Sequence, residues 1–112
     1  EFAGKFDGVA LRVPIPVGSM SDLTFVTSRS VTVEEINAIF EEEAQTARYK
    51  NILSTTNEPL VSSDIVKNPH ASTVDLGMTR VVDGDLLKVM TWYDNEWGFT
   101  NQMIRQILTE IA

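Results

Sequence analysis

Arg80-Val81-Val82-Asp83-Gly84-Asp85-Leu86-Leu87-Lys88-Val89-Met90-Thr91-Trp92-Tyr93 reads as a strand, a tight turn and a returning strand. Asp83-Gly84 decides it. A two-residue hairpin loop needs positive φ at its central positions, and Asp and Gly reach that region at low steric cost. Just upstream, Ser72 to Thr79 alternates and reads as another strand. Just downstream, a helix is expected from about Trp97 to the end of the chain. Its apolar face is Met103, Ile104, Ile107, Leu108 and Ile111.

Further upstream, Glu58 to His70 is polar and rich in turn residues, and Asn51 to Asn57 reads as a short strand and turn. Thr32 with Glu35 has capping-box spacing and opens a helix whose stripe is Ile36, Ile39, Phe40, Ala44 and Ala47. Glu34, Glu35, Glu41, Glu42 and Glu43 cover the rest of that helix as a solvated face. Leu23 to Ser28 reads as a strand. Val9, Leu11, Val13 and Ile15 fall on one face of an earlier one, which Pro14 and Pro16 place partly at an edge or make end irregularly. Strands outside a strict βαβ alternation predict an α+β fold. A mostly antiparallel sheet with helices on one face, plus a C-terminal helix, is expected, with residues 1–112 as a single unit.

A chain of 112 residues has room for one domain at roughly 100 to 200 residues each. Nine Lys and Arg against sixteen Asp and Glu leave a net charge of −7. That balance argues against a nucleic-acid or anionic-membrane footprint, which needs clustered cations. With no cysteine there is no disulfide, thiolate nucleophile or Cys-ligated metal on this chain. No apolar run approaches the roughly 18 residues of a membrane span, and no signal peptide is evident, so a soluble, cytoplasmic unit is expected.

Two places can carry chemistry. Arg12 lies between small Ala10 and Pro14, where a guanidinium reads either as a solvated strand residue or as a bidentate phosphate ligand. Asn95, in Asp94-Asn95-Glu96, offers amide donors and an acceptor. It reads either as a helix N-cap or as a partner for an amide such as a nicotinamide carboxamide. His70 is the single histidine and reads as a loop-bracing residue. Trp92, Tyr93, Trp97 and Phe99 read as core packing where strand meets helix. Ser62-Ser63-Asp64 reads as a turn or cap with no base placed for a nucleophile. There is no G-x-G-x-x-G, no metal-ligand spacing and no catalytic constellation.

Four segments carry a family resemblance. Gly8-Val9-Ala10-Leu11-Arg12-Val13-Pro14 resembles the G-x-A-x-R-V-P segment of glyceraldehyde-3-phosphate dehydrogenases, and Trp92-Tyr93-Asp94-Asn95-Glu96-Trp97-Gly98 resembles their W-Y-D-N-E-[FW]-G signature. Val61-Ser62-Ser63-Asp64 and Asp22-Leu23-Thr24 fit the V-S-S-D turn and D-L-T strand start, and Glu1 to Phe6 is similar to the lead-in to the arginine strand. The resemblance covers essentially the whole chain, as the last third of such an enzyme.

The resemblance implies that Arg12 binds the substrate's C3 phosphate and that Asn95 holds the nicotinamide carboxamide of NAD or NADP. It implies an enzyme that oxidises glyceraldehyde 3-phosphate to 1,3-bisphosphoglycerate through a cysteine thiolate and a histidine base, as a homotetramer. That cysteine, that histidine and the dinucleotide-binding domain lie upstream in the family, so the cofactor is expected to bind only together with them. No catalytic residue and no metal ligand is assigned on this chain, and its partner is expected to be the rest of its own enzyme. Phe99 stands where many members have tyrosine, and phenylalanine also occurs in the erythrose-4-phosphate type of related enzyme. A stand-alone, non-catalytic interaction module and a split enzyme are the other two architectures consistent with these residues.

Overall fold

The computed structural model describes residues 2–111. Glu1 of the lead-in and Ala112 at the end of the last helix lie outside the described residues. The elements in chain order are β1 (Ser19–Val26), α1 (Val33–Gln45), β2 (Leu53–Thr56), β3 (Ser72–Asp75), β4 (Arg80–Val82), β5 (Leu86–Tyr93) and α2 (Trp97–Glu110). Short 3-10 turns occupy Ser62–Ile65 and Leu76–Met78.

The five strands form one sheet around β5. β1 pairs antiparallel with the whole of β5, from Ser19 opposite Tyr93 to Val26 opposite Leu86. The other edge of β5 is shared. β3 takes its end, with Thr73 opposite Trp92, and β4 takes its start, with Arg80 opposite Lys88. The hairpin is as expected: Asp83 (φ 52°) and Gly84 (φ 82°) both take the left-handed conformation. The expected strand over Ser72 to Thr79 is broken in the middle by the Leu76–Met78 turn, which lets one stretch supply both β3 and β4. β2 joins β3 in parallel, so the sheet is mixed, with antiparallel pairings in the majority. A parallel pair cannot close through a tight turn. Residues 57–71 make the crossover without an α-helix.

Period-2 alternation sorts β5 onto two faces. Leu87 and Val89 are buried and join Val74 and Leu76 in the core, with Ile36 and Phe40 of α1, Leu53 and Val81 packed against them. α1 therefore covers that face. Its start follows the sequence: the Glu35 N–H donates to Thr32 Oγ1 at 3.2 Å. The reciprocal half of the box is missing, because the Glu35 carboxylate pairs with Arg29. The helix ends at Gln45, where the Thr46 hydroxyl donates to the Glu43 carbonyl at 2.8 Å, so Ala47 falls outside the stripe assigned to it. On the opposite sheet face, Trp92 Nε1 donates to buried Asp75 Oδ2 at 3.1 Å.

Two further expectations fail. Residues 9–17 form no strand: Val9 is 93% and Leu11 87% exposed, and the segment is an exposed, irregular arm leading into β1. Pro14 and Pro16 have no N–H to give a ladder, and the free edge of β1 is not met by any other strand among the described residues. The aromatic core at the end of β5 also fails. Trp92 and Tyr93 are half-buried, but Trp97 and Phe99 are exposed. α2 docks through polar and backbone contacts instead of its rings.

Candidate functional site

The site is built where β5 ends and α2 begins. Asp94 is the cap of α2. Its Oδ1 accepts from the Glu96 N–H (2.8 Å) and the Trp97 N–H (2.7 Å), and its carbonyl accepts from the Gly98 N–H at 3.1 Å. Its Oδ2 accepts from the Lys67 N–H at 2.8 Å, which ties the helix start to the loop after the Ser62–Ile65 turn. Asp94 is only 2% exposed. Burial pushes its carboxyl pKa up, but the three backbone N–H donors outweigh that and hold it below the usual carboxylate value.

Asn95 is not the cap. It stands exposed one residue further on, and its Oδ1 accepts from the Gly18 N–H at 3.0 Å. Gly18 (φ 100°) ends the arm that carries Arg12, and a Cβ there would stand 3.0 Å from both Ile65 Cγ2 and the Ser62 carbonyl oxygen. Glycine is thus required twice over, for the left-handed turn and for the close approach. Arg12 is exposed, and its side chain makes no hydrogen bond or ion pair among the described residues. The structure joins the arm of Arg12 to the carboxamide of Asn95 through Gly18, and among the described residues no hydrogen bond links the two side chains.

α2 then closes onto the loop of His70. A Cβ on Gly98 would lie 2.6 Å from the His70 carbonyl oxygen, so only glycine lets the helix approach so closely. Gln102 Nε2 donates to the Pro69 carbonyl at 3.0 Å. The His70 N–H donates to Asn68 Oδ1 (2.9 Å), and His70 Nδ1 lies 3.0 Å from the same oxygen. Burial, and secondarily the charge of Arg105, lower the His70 pKa and favour the neutral ring. His70 braces a loop, as its sequence context suggested. Ser62-Ser63-Asp64 is a turn, with Asp64 Oδ2 accepting from the Val61 N–H at 2.8 Å.

Sequence reasoning treated Asp94 and Asn95 together and missed their division of labour. Cap spacing from Asp94 to the N–H groups two and three residues on was the available signal. Nothing local pointed to Gly18 or to the Lys67 amide, which reach the site from 77 and 27 residues away. Among the described residues no three His, Asp or Glu side chains converge on a metal position, and no helix is long and apolar enough to cross a membrane.

Fold and site together define an α+β domain in which an arginine-bearing arm is tethered to an amide-presenting helix start. A sequence model of the family described as glyceraldehyde 3-phosphate dehydrogenase, C-terminal domain, matches residues 1–95. The chain belongs to that family. Proteins named glyceraldehyde-3-phosphate dehydrogenase from Zymomonas mobilis and Mycobacterium leprae are 49% and 52% identical to it, over 93% of this chain and 31% and 30% of their own lengths. A protein from Streptomyces avermitilis named glyceraldehyde-3-phosphate dehydrogenase 2 is 45% identical over the same share of this chain and 31% of its own. The chain thus spans about 30% of the length of the curated relatives it matches.

Proposed function

We propose that this chain is the C-terminal part of the catalytic domain of a cytoplasmic, NAD(P)-dependent glyceraldehyde-3-phosphate dehydrogenase, a glycolytic oxidoreductase acting as a homotetramer. The supporting observation is the bond from the Gly18 N–H to Asn95 Oδ1. It commits the carboxamide oxygen and leaves the Nδ2 hydrogens, which have no protein acceptor among the described residues, to read an amide oxygen. Those residues fit a nicotinamide carboxamide. When bound, the cofactor accepts the hydride. This chain's own share is binding and orientation: Asn95 holds the carboxamide, and the Arg12 guanidinium grips the C3 phosphate of glyceraldehyde 3-phosphate bidentately. The thiolate, the histidine base and the dinucleotide-binding domain are supplied by the rest of the enzyme chain.

The test is Arg12→Ala in the full-length enzyme. A charge-assisted phosphate contact is worth roughly 1.5 to 3 kcal/mol. The expected result is a fall in kcat/KM for glyceraldehyde 3-phosphate of about tenfold to a hundredfold. Arg12→Lys recovers only part, because an ammonium cannot replace the planar fork. Wild-type kinetics in Arg12→Ala reduce Arg12 to a solvated arm residue.

A further inference from the structure

The Asp94 carboxylate is buried and fully engaged, yet the function proposed above gives it no role. Its Oδ1 serves the first amides of α2 and its Oδ2 serves the Lys67 amide. Lys67 takes a left-handed φ of 65°, a conformation a non-glycine residue rarely adopts and keeps only where surroundings enforce it. Two residues before it, Ile65 is 1% exposed and stands with Ser62 against Gly18. Gly18 in turn donates to Asn95, the neighbour of Asp94. The contacts close into a ring: Asp94, Lys67, the Ser62–Ile65 turn, Gly18, Asn95 and back to Asp94.

In such a ring the Asn95 carboxamide is located by two anchors. One is the Gly18 N–H. The other is the helix start, which the link from Asp94 to Lys67 holds against the same turn that seats Gly18. Gly98 on the His70 carbonyl and Gln102 on the Pro69 carbonyl keep α2 seated without that link, but cutting it removes the contact that registers the helix start against the turn seating Gly18. We propose that Asp94 is a positioning residue: by bridging the start of α2 and the Lys67 amide, its carboxylate sets where the Asn95 carboxamide stands, and so acts on the nicotinamide through Asn95. This rests on the assignment of Asn95 as the nicotinamide contact.

Asp94→Asn and Asp94→Ser separate capping from bridging. Asn and Ser are both good N-caps and keep one oxygen for the Glu96 and Trp97 amides. Neither offers a second acceptor to Lys67. Both are made in the full-length enzyme, with and without Asn95→Ala, and KM for NAD and thermal melts are measured. A small misplacement of a positioning group is expensive, so each variant is expected to raise KM for NAD about tenfold when Asn95 is present. In the Asn95→Ala background the same substitutions are expected to add less than about twofold, since residues acting through one another are not additive. A merely structural Asp94 lowers the melting temperature and the active fraction but leaves KM for NAD at wild type, and that outcome overturns the proposal. An equal rise in both backgrounds overturns it too, because Asp94 then acts without Asn95. If Asn95→Ala alone leaves KM for NAD unchanged, the nicotinamide assignment itself fails and the proposal falls with it. If Asn95→Ala raises KM and neither Asp94 variant does, the assignment stands and only the positioning role is lost.

Discussion

Asp94 has two oxygens and three backbone donors to serve, and it is nearly sealed from water. Three N–H groups aimed at one carboxylate replace its hydration and favour the charged form over the burial that opposes it. The consequence for stability has a definite sign. The folded-state pKa lies below the unfolded value of about 3.9. The unfolded chain therefore binds the proton first as pH falls, and the stabilisation present above that value is lost as pH drops through the folded-state pKa. Asp94→Asn removes this titration. Wild type is expected to be the more stable at pH 7, and the gap to Asp94→Asn is expected to shrink as pH falls from 5 to below 3. Urea melts across that range measure it, and a gap that stays constant down to the lowest pH contradicts the ionised, amide-bound carboxylate. Asn95, one residue on, shares none of this. Its oxygen belongs to Gly18, so its contribution to the start of α2 is a tether to the arm rather than a cap.

Among the elements, α2 is held unusually for an amphipathic helix. Met103, Ile104, Ile107, Leu108 and Ile111 form the expected stripe, and all five are exposed. What docks the helix is backbone: the Asp94 cap, Gln102 on the Pro69 carbonyl and Gly98 against the His70 carbonyl. Gly98→Ala sets two effects against each other. Alanine in a helix is favoured over glycine by roughly 0.5 to 1 kcal/mol. The added Cβ meets a carbonyl at 2.6 Å, in a loop already pinned by the bond from the His70 N–H to Asn68. Overpacking against a fixed neighbour costs about 1 to 3 kcal/mol, so the clash wins. Gly98→Ala is expected to lower stability by about 1 to 2 kcal/mol, and chemical denaturation reads it. A neutral or stabilising result means that α2 does not seat on His70. The glycine of the W-Y-D-N-E-W-G signature is thereby explained by packing, with no appeal to catalysis.

At the scale of the molecule, the buried apolar core is small and lies between β3, β5 and α1, while the arm and α2 leave apolar side chains in water. Under the proposed function the remainder of the enzyme covers these surfaces and supplies the nucleophile. A chain without cysteine has no thiolate to attack an aldehyde. The 112-residue chain alone is therefore expected to form no NADH from glyceraldehyde 3-phosphate, NAD and phosphate, followed at 340 nm. Turnover above background, with host enzyme excluded, contradicts that expectation.

Sequence by itself determined the features whose causes are local. The Asp83-Gly84 turn follows from the φ each residue tolerates, the start of α1 from Thr32 and Glu35, and the α+β class from the order of periodic segments. The motifs around Arg12 and Asn95 were likewise legible as a family pattern. Tertiary structure alone decided what depends on distant partners. Apolar alternation at Val9 to Ile15 predicts a strand, but a strand exists only where a neighbour supplies its ladder, and none of the described residues does. Ser19 to Ser21 lie ahead of the strand expected from Leu23, yet they are strand because β5 pairs with them. The parallel addition of β2 and the splitting of β3 from β4 are likewise choices made by the sheet. At the site, Asp and Asn are interchangeable as caps in isolation. Which of Asp94 and Asn95 caps, and which reaches out, was settled by the Lys67 and Gly18 amides, and no local propensity encodes where a remote N–H will stand.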